Sequence, residues 1–399
     1  MRQMIRRILT EHGFTVVGIA RNGQEAVDGV LRLRPDVVTL DVEMPVKDGL
    51  QALTEIMHLA PVPVLMVSHL TAREAPATVE ALARGAVDVV LKPGYGAGFG
   101  AGPAVPGTGL GAESGAGLWT GSVFRSLAAW EEELVRKVRL ASHARPRSFR
   151  QLYSSPASTL STASAVPTAP GLPPSTAPPA LPTTASGNPP PAASATPGGE
   201  LPLVVIGAST GGPGTLSEIF AGLSPTDLPA AVLVVQHMPP GFTHSLAQRL
   251  DRLSRFRVME AYDGAPLEAG VALVAPGGRH MVLRPSGRRI ALVDTPPRHG
   301  VRPAIDTTLE SVAAEFHGPV VAAILTGMGA DGAAGARQVR RHGAKVIAQD
   351  EATSVVYGMP KVVAEWGEAD RICPLPEIPA TLSELVNQLL TRAPSQTGR

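Results

Sequence analysis

Across residues 154–199 the chain is written almost entirely in proline, alanine, serine and threonine, without one charged or aromatic side chain. Such a stretch holds too little apolar surface to offset the conformational entropy of folding, so it reads as a disordered, partly extended tether. A tether placed there keeps the 399-residue chain from sharing one continuous fold. It predicts a first domain over 1–142, a linker over 143–200, a second domain over 201–392 and a short tail over 393–399. A glycine-rich insert at about 94–121 interrupts the end of the first domain and reads as a surface loop.

Charge narrows the partners. Lys+Arg of 35 against Asp+Glu of 34 leaves a formal net charge of +1, so there is no bulk attraction to nucleic acid or to an anionic membrane. The single cysteine, Cys373, cannot close an internal disulfide, and the opening "MRQMIRRILTEHGF" lacks the apolar core of a signal peptide. No window reaches about 18 uninterrupted apolar residues. The expectation is a cytoplasmic monomer that meets membranes only through its partners.

The first domain alternates helix-like and strand-like segments. "QMIRRILTEHG" and "GQEAVDGVLRLR" carry helical spacing, "FTVVGIA", "PDVVTLDVEMP", "PVPVLMVSHLT" and "VDVVLKP" read as strands, and "LAAWEEELVRKVRLAS" supplies a last helix. This βα alternation predicts a parallel sheet, whose ligands bind beyond the carboxyl ends of its strands. Asp41, Ser68 and Lys92 fall at three such ends. A carboxylate that accepts a phosphoryl group needs a cation to screen the donor, a hydroxyl to hold a phosphate oxygen and a fixed positive charge. Taken singly, each is more often an ordinary polar strand end; three together favour chemistry.

"LDVEMPVKDGL", "MVSHLT" and "LKP" together resemble the receiver domain of bacterial two-component response regulators. The resemblance implies a flavodoxin-like α/β fold, with Asp41 as phosphoacceptor, Ser68 as switch hydroxyl and Lys92 as the phosphate-binding lysine. It also implies magnesium, held in the family by two consecutive acids that end a first strand. This sequence starts inside the helix that follows that strand, which leaves Asp41 and the Glu43 main-chain carbonyl as ligands. We read this as a start methionine assigned too late. The chain as written is expected to accept phosphoryl groups poorly.

The second domain opens with "LVVIGASTGGPGTL". Three roles compete for Ser209. The glycines do not follow the G-x-G-x-x-G order of a dinucleotide site, and there is no P-loop lysine. Ser209 could cap the helix starting near Pro213. It could also be a nucleophile, since residues 207–211 satisfy G-x-S-x-G on a strand-to-helix turn. A serine hydroxyl needs a base to attack an ester at neutral pH. His237 ends the next strand, "AAVLVVQH", and so shares a sheet edge with Ser209. His244, His280, His299 and His317 read as solvated helix or loop residues, and His342 as a cap or surface group. An orienting carboxylate completes such a set. Asp331, in the glycine-rich turn of "GPVVAAILTGMGADGAAG", ranks ahead of Asp306 and Asp350, and its competing role is to cap the helix after Gly332.

"IGASTGGP", "VVQHMPPGFT", "VRPAID" and "LTGMGADGAAG" resemble the catalytic domain of the chemotaxis protein-glutamate methylesterase, in which a receiver is tethered upstream. The resemblance implies a doubly wound parallel sheet and a triad of Ser209, His237 and Asp331. Main-chain amides near Thr210 and Met328 would form an oxyanion hole. Methylated glutamates of chemoreceptors would be hydrolysed to glutamate and methanol, and particular receptor glutamines deamidated. Hydrolysis would need no metal; a chemotaxis histidine kinase would supply the phosphoryl group; and the unphosphorylated receiver would cover the cleft. A different class remains open: a response regulator whose output domain binds a partner without hydrolysing anything. Three chemistry-bearing residues at three strand ends argue against it.

Overall fold

The computed structural model describes residues 1–69, 71, 74–93, 127–145 and 201–392. The insert expected at 94–121, nearly all of the linker and the 393–399 tail lie outside the described residues.

The first domain comprises α1 (Arg2–Glu11), α2 (Gly23–Leu33), β1 (Val38–Asp41), α3 (Gly49–Leu59), β2 (Val64–Ser68), α4 (Ala75–Ala83), β3 (Asp88–Leu91) and α5 (Leu127–Ser142). Its strands form a three-stranded parallel sheet in the order β1-β2-β3. Local chemistry places the helices: Asn22 accepts the Glu25 amide and Asp48 the Gln51 amide, each satisfying an orphan donor of a first turn. On one face of the sheet, Leu65 and Val90 pack with Ile8, Trp130, Leu134 and Val138, and the Trp130 indole donates to the Leu91 carbonyl at 2.6 Å.

One expected strand is not formed. Residues 14–20 are extended without a ladder partner among the described residues. Phe14 and Val16 lean on the cluster around Trp130, whereas Val17 and Ile19 are 52% and 42% exposed. Alternation of side chains is kept, but a strand exists only where a neighbour accepts its backbone hydrogen bonds.

The second domain runs β4 (Leu203–Ala208), α6 (Gly212–Gly222), β5 (Ala231–Gln236), α7 (Phe242–Leu253), β6 (Arg257–Glu260), β7 (Val271–Val274), β8 (His280–Leu283), β9 (Ile290–Val293), α8 (Ile305–Glu315), β10 (Val320–Ile324), α9 (Ala333–Arg341), β11 (Lys345–Gln349), α10 (Met359–Glu365), β12 (Arg371–Cys373) and, after one 3-10 turn, α11 (Ile378–Arg392). Seven strands form a wholly parallel sheet in the order β12-β11-β10-β4-β5-β7-β6, while β8 and β9 make a separate antiparallel pair. All six residues of β4 are buried. Its alternate side chains enter two different cores, Val204 and Ile206 on one face, Leu203 and Val205 on the other. A strand covered on both sides explains why "LVVI" is continuous rather than alternating. The chain leaves β4 toward β5 on one side and later places β10 on the other, making β4 the switch point, the place beyond whose strand ends parallel sheets of this kind bind their ligands.

Candidate active site

Ser209, His237 and Asp331 follow β4, β5 and β10, the three adjoining strands at that switch point. Parallel register pairs Ala208 with Gln236, and the His237 amide donates to the Ala208 carbonyl at 3.1 Å, so Ser209 and His237 leave the sheet side by side. Gln236 ties the two turns together. Its buried side-chain amide donates to the Ser209 and His237 carbonyls at 2.9 and 3.2 Å. A Cβ at Gly212 would lie 1.9 Å from Gln236 Oε1, so only glycine leaves room for this clamp.

The capping role for Ser209 is not realised, because α6 starts from Gly211 at φ +78 with no side-chain cap. A Cβ at Gly327 would lie 2.7 Å from the Ser209 Cβ, which shows how closely the turn after β10 approaches the serine. In that corner the amides of Thr210 and Met328 donate to no protein acceptor among the described residues, whereas those of Ser209, Gly211, Gly212 and Gly327 are all engaged. No hydrogen bond joins Ser209 Oγ to His237 among the described residues. Hydrogen bonds of this kind often close only once a substrate is in place.

His237 Nε2 donates to Asp331 Oδ2 at 2.8 Å, with both side chains nearly buried. Asp331 does not cap the helix that follows it. Instead its oxygens accept the Ile305 and Asp306 amides, at 2.7 and 2.9 Å, at the start of α8. Asp306 returns the arrangement by accepting the Gly332 and Gly335 amides at the start of α9. Two helices therefore cap each other through one aspartate apiece. Burial pushes the Asp331 carboxyl up, but the hydrogen bond and charge of His237 and the two amides outweigh it, and its pKa lies below the ordinary carboxylate value.

Several residues take unexpected places. Asp306, weighed as a rival to Asp331, is its partner and is 0% exposed. His299 is not simply solvated: its Nε2 donates to Asp306 Oδ2 at 2.8 Å and stands 3.7 Å from Asp331 Oδ1. His280 is buried rather than solvated, with Nδ1 accepting the Ala304 amide and Nε2 on the Pro296 carbonyl. Burial, chiefly, pushes its pKa down. Asp350 turns away to hold Thr353. His299, Asp306 and Asp331 bring ligand-type atoms within 4.8 Å of one another. All four carboxylate oxygens already accept amide or imidazole protons. The cluster thus fits a hydrogen-bonded network rather than a cation.

The first domain reaches this site. Val87 offers its carbonyl to the Gly211 amide at 3.1 Å, and Thr210 Oγ1 donates to Asp88 Oδ2 at 3.2 Å. Lys137 holds the other Asp88 oxygen at 3.1 Å. Helix α4 packs on α6 and α7, and Glu80 on it pairs with Arg249.

At the opposite end of the three-stranded sheet, Lys92 Nζ bonds both Asp41 oxygens at 2.8 and 2.7 Å. The Ser68 hydroxyl is directed to Glu74 Oε2 at 3.1 Å and Thr78 Oγ1 at 2.8 Å. Receiver phosphorylation is typically magnesium-dependent. The oxygens expected here, the Asp41 carboxylate and the Glu43 carbonyl, are too few for an ion that demands near-octahedral ligation, so the residues present do not by themselves fit it.

Residues 204–382 match the family described as CheB methylesterase, and residues 1–96 match the response regulator receiver domain. The protein-glutamate methylesterase/protein-glutamine glutaminase of Symbiobacterium thermophilum is 45% identical over 97% of this chain and 94% of its own length. The same-named protein of Thermotoga maritima is 38% identical over 97% of this chain and 95% of its own. The crystal structure of the Thermotoga maritima CheB methylesterase catalytic domain is 46% identical, covers 47% of this chain and 99% of that one, and superposes with a TM-score of 0.45.

Proposed function

This chain belongs to the protein-glutamate methylesterase/protein-glutamine glutaminase family, and from that premise we propose that Ser209, His237 and Asp331 carry its chemistry. Ser209 Oγ attacks the γ-carbonyl of a methylated glutamate while His237 takes its proton. Since Nε2 is committed to Asp331, Nδ1 is the nitrogen that accepts it. The tetrahedral oxyanion is met by the Thr210 and Met328 amides, donors of a kind typically worth about 10²–10³ in rate each. Collapse expels methoxide, protonated by His237 to methanol. Water, deprotonated by the same imidazole, then releases glutamate. With a glutamine the leaving group is ammonia and the acyl-enzyme is the same, which gives the glutaminase activity.

The observation that carries this reading is the 2.8 Å His237–Asp331 hydrogen bond beside a serine with unclaimed amides around it. The substrates are chemoreceptors and the phosphodonor is a chemotaxis kinase, as the receiver and the family imply. Regulation is read from Val87 and Asp88, which hold the turn next to Ser209. Helix α4 links the two ends of the receiver, because Ser68 bonds Glu74 at its start and Glu80 further along pairs with Arg249. Drawing Ser68 toward a phosphorylated Asp41 removes its bond to Glu74 and loosens that helix. Methanol release from methylated receptor membranes tests the reading, measured with and without a small phosphodonor. Turnover that survives Ser209→Ala unchanged would overturn it.

A further inference from the structure

We propose that His299 is a positioning residue for this reaction: it holds Asp306 against Asp331, and its charge sets how strongly the paired carboxylates draw a proton to His237. The proposal rests on reading His237 as the base. Asp331 and Asp306 are 2% and 0% exposed and lie side by side, each accepting the other helix's amides. Two adjacent buried carboxylates disfavour each other's ionisation unless a cation is near. The cations facing them are few. Arg298 stands 3.5 Å from Asp306 and its charge acts on both Asp306 and Asp331, shared with Glu310, which it holds through both terminal nitrogens. Arg302 keeps its charge, donates through Nη1 to the Asp294 and Thr295 carbonyls, and acts on His280. His280 has its Nδ1 taken up in accepting the Ala304 amide, and burial pushes its pKa down. The two imidazoles bonded to the pair are His237 on Asp331 and His299 on Asp306, the latter 40% exposed.

The backbone is arranged to put His299 there. Arg298 and Val301 exchange both main-chain hydrogen bonds, at 3.1 and 3.0 Å, around a two-residue turn in which His299 and Gly300 have φ of +53 and +74. Consecutive left-handed residues are the mark of a type I′ turn, whose first position favours asparagine, aspartate or glycine. A histidine kept in that conformation costs backbone energy, and such strain concentrates where a side chain has work to do.

The electrical consequence has a sign. While His299 is cationic it offsets the two carboxylates, and His237 holds its proton less firmly; once His299 is neutral, the uncompensated pair makes His237 more basic. His299→Gln keeps a donor for Asp306 but never carries charge, and His299→Lys always carries it. In the full-length protein, followed by histidine-selective NMR, His237 is expected to titrate about half to one pH unit higher in His299→Gln and lower in His299→Lys. The acid limb of kcat/KM for methanol release should move with it, leaving plateau turnover within about threefold of wild type. Titration of His237 at one pH in all three proteins, or movement in one direction in both variants, overturns the proposal. So does a fall in plateau turnover with His237 unmoved, which would make His299 a purely structural group. Because NMR reads the coupling without turnover, the two failures are distinguishable: wild type that releases no methanol overturns the esterase reading and this proposal with it, whereas methanol release with no change in the His237 titration between the three proteins overturns this proposal alone.

Discussion

The two sheets start from the same kind of sequence and end in different conditions. In the second domain every strand of the seven has a parallel neighbour, and β4 is closed in by β10 and β5 with no residue exposed. In the first, among the described residues, three strands pair, and β1 presents an edge with no ladder partner while residues 14–20 run unpaired. The difference teaches where function can be fixed. Ser209, His237 and Asp331 gain their relation from strand register, since neighbouring parallel strands cannot slip by one residue without moving every side chain into the opposite core and unpacking both. Asp41, Ser68 and Lys92 sit on a smaller scaffold. There the Ser68 hydroxyl bonds Glu74 and Thr78 while Lys92 holds Asp41, an arrangement suited to changing state.

The sharpest way to break this contrast is at the nucleophile. Ser209→Ala should lower methylesterase turnover by about 10⁴–10⁶-fold, as loss of a triad serine does elsewhere, with the thermal midpoint nearly unchanged because one oxygen leaves a half-buried turn. Methanol release alongside a melting curve checks both halves. Large unfolding would mean that Ser209 is structural after all.

Asp331→Asn should cost less, about 10²–10⁴-fold, because the asparagine keeps the shape but loses the charge that favours the imidazolium. A pH series adds a second reading. Asp331 has a folded pKa below its unfolded value of 3.8, so its contribution to stability is complete above that value and is lost as pH falls through the lower, folded pKa. Unfolding followed from pH 6 downward should therefore show a steeper acid loss in wild type than in Asp331→Asn. Parallel curves would remove Asp331 from the set of carboxylates stabilised by folding.

Much of this was legible in the residues themselves. That Ser209, His237 and Asp331 lie near one another could be read from the sequence, because Ser209 and His237 directly follow apolar runs, Asp331 sits in the glycine-rich turn after a third, and the carboxyl ends of parallel strands converge. Asp306 and His299 could not be ranked that way. Their role depends on two helix starts meeting head to head and on a left-handed turn, neither of which leaves a period in the sequence. His280 was misread as a solvated helix or loop residue, whereas it begins β8 and the Ala304 amide and the Pro296 carbonyl satisfy both ring nitrogens inside. The segment 14–20 was misread for a different reason: alternation reports which side chains face a core, not whether another strand lies alongside.

A smaller effect tests the contact between the halves. Asp88→Ala removes the acceptor for Thr210 Oγ1 and frees Lys137 to its other partner, Glu133. One lost hydrogen bond to a charged group, about 1.5 kcal/mol or less when half exposed, shifts a closed-to-open balance by roughly three- to tenfold. Basal methanol release should rise by up to that factor, and Glu80→Ala, which unpairs Arg249, should act in the same direction. If both variants leave basal activity where it was, the receiver does not restrain the site through these contacts.

The smallest effect lies in local motion. The amides of residues 15–20 donate to no protein acceptor among the described residues, and β1 bonds to a strand on one side only. Exchange of such amides needs little or no opening, whereas those of β4, β5 and β10, paired on both sides in a covered sheet, exchange only on sub-global or global unfolding. Native-state hydrogen exchange on the full chain should therefore give opening free energies of about 0–2 kcal/mol for 15–20 and values near the global stability for the centre of the large sheet. Phe14 and Val16 still anchor the segment against the cluster around Trp130, so its exchange should be quick without the helix α1 beside it loosening, since Ile8 and Leu9 there are buried. Protection of 15–20 comparable with that of β4 would require a hydrogen-bonded neighbour for the segment, and would erase the contrast between the two sheets.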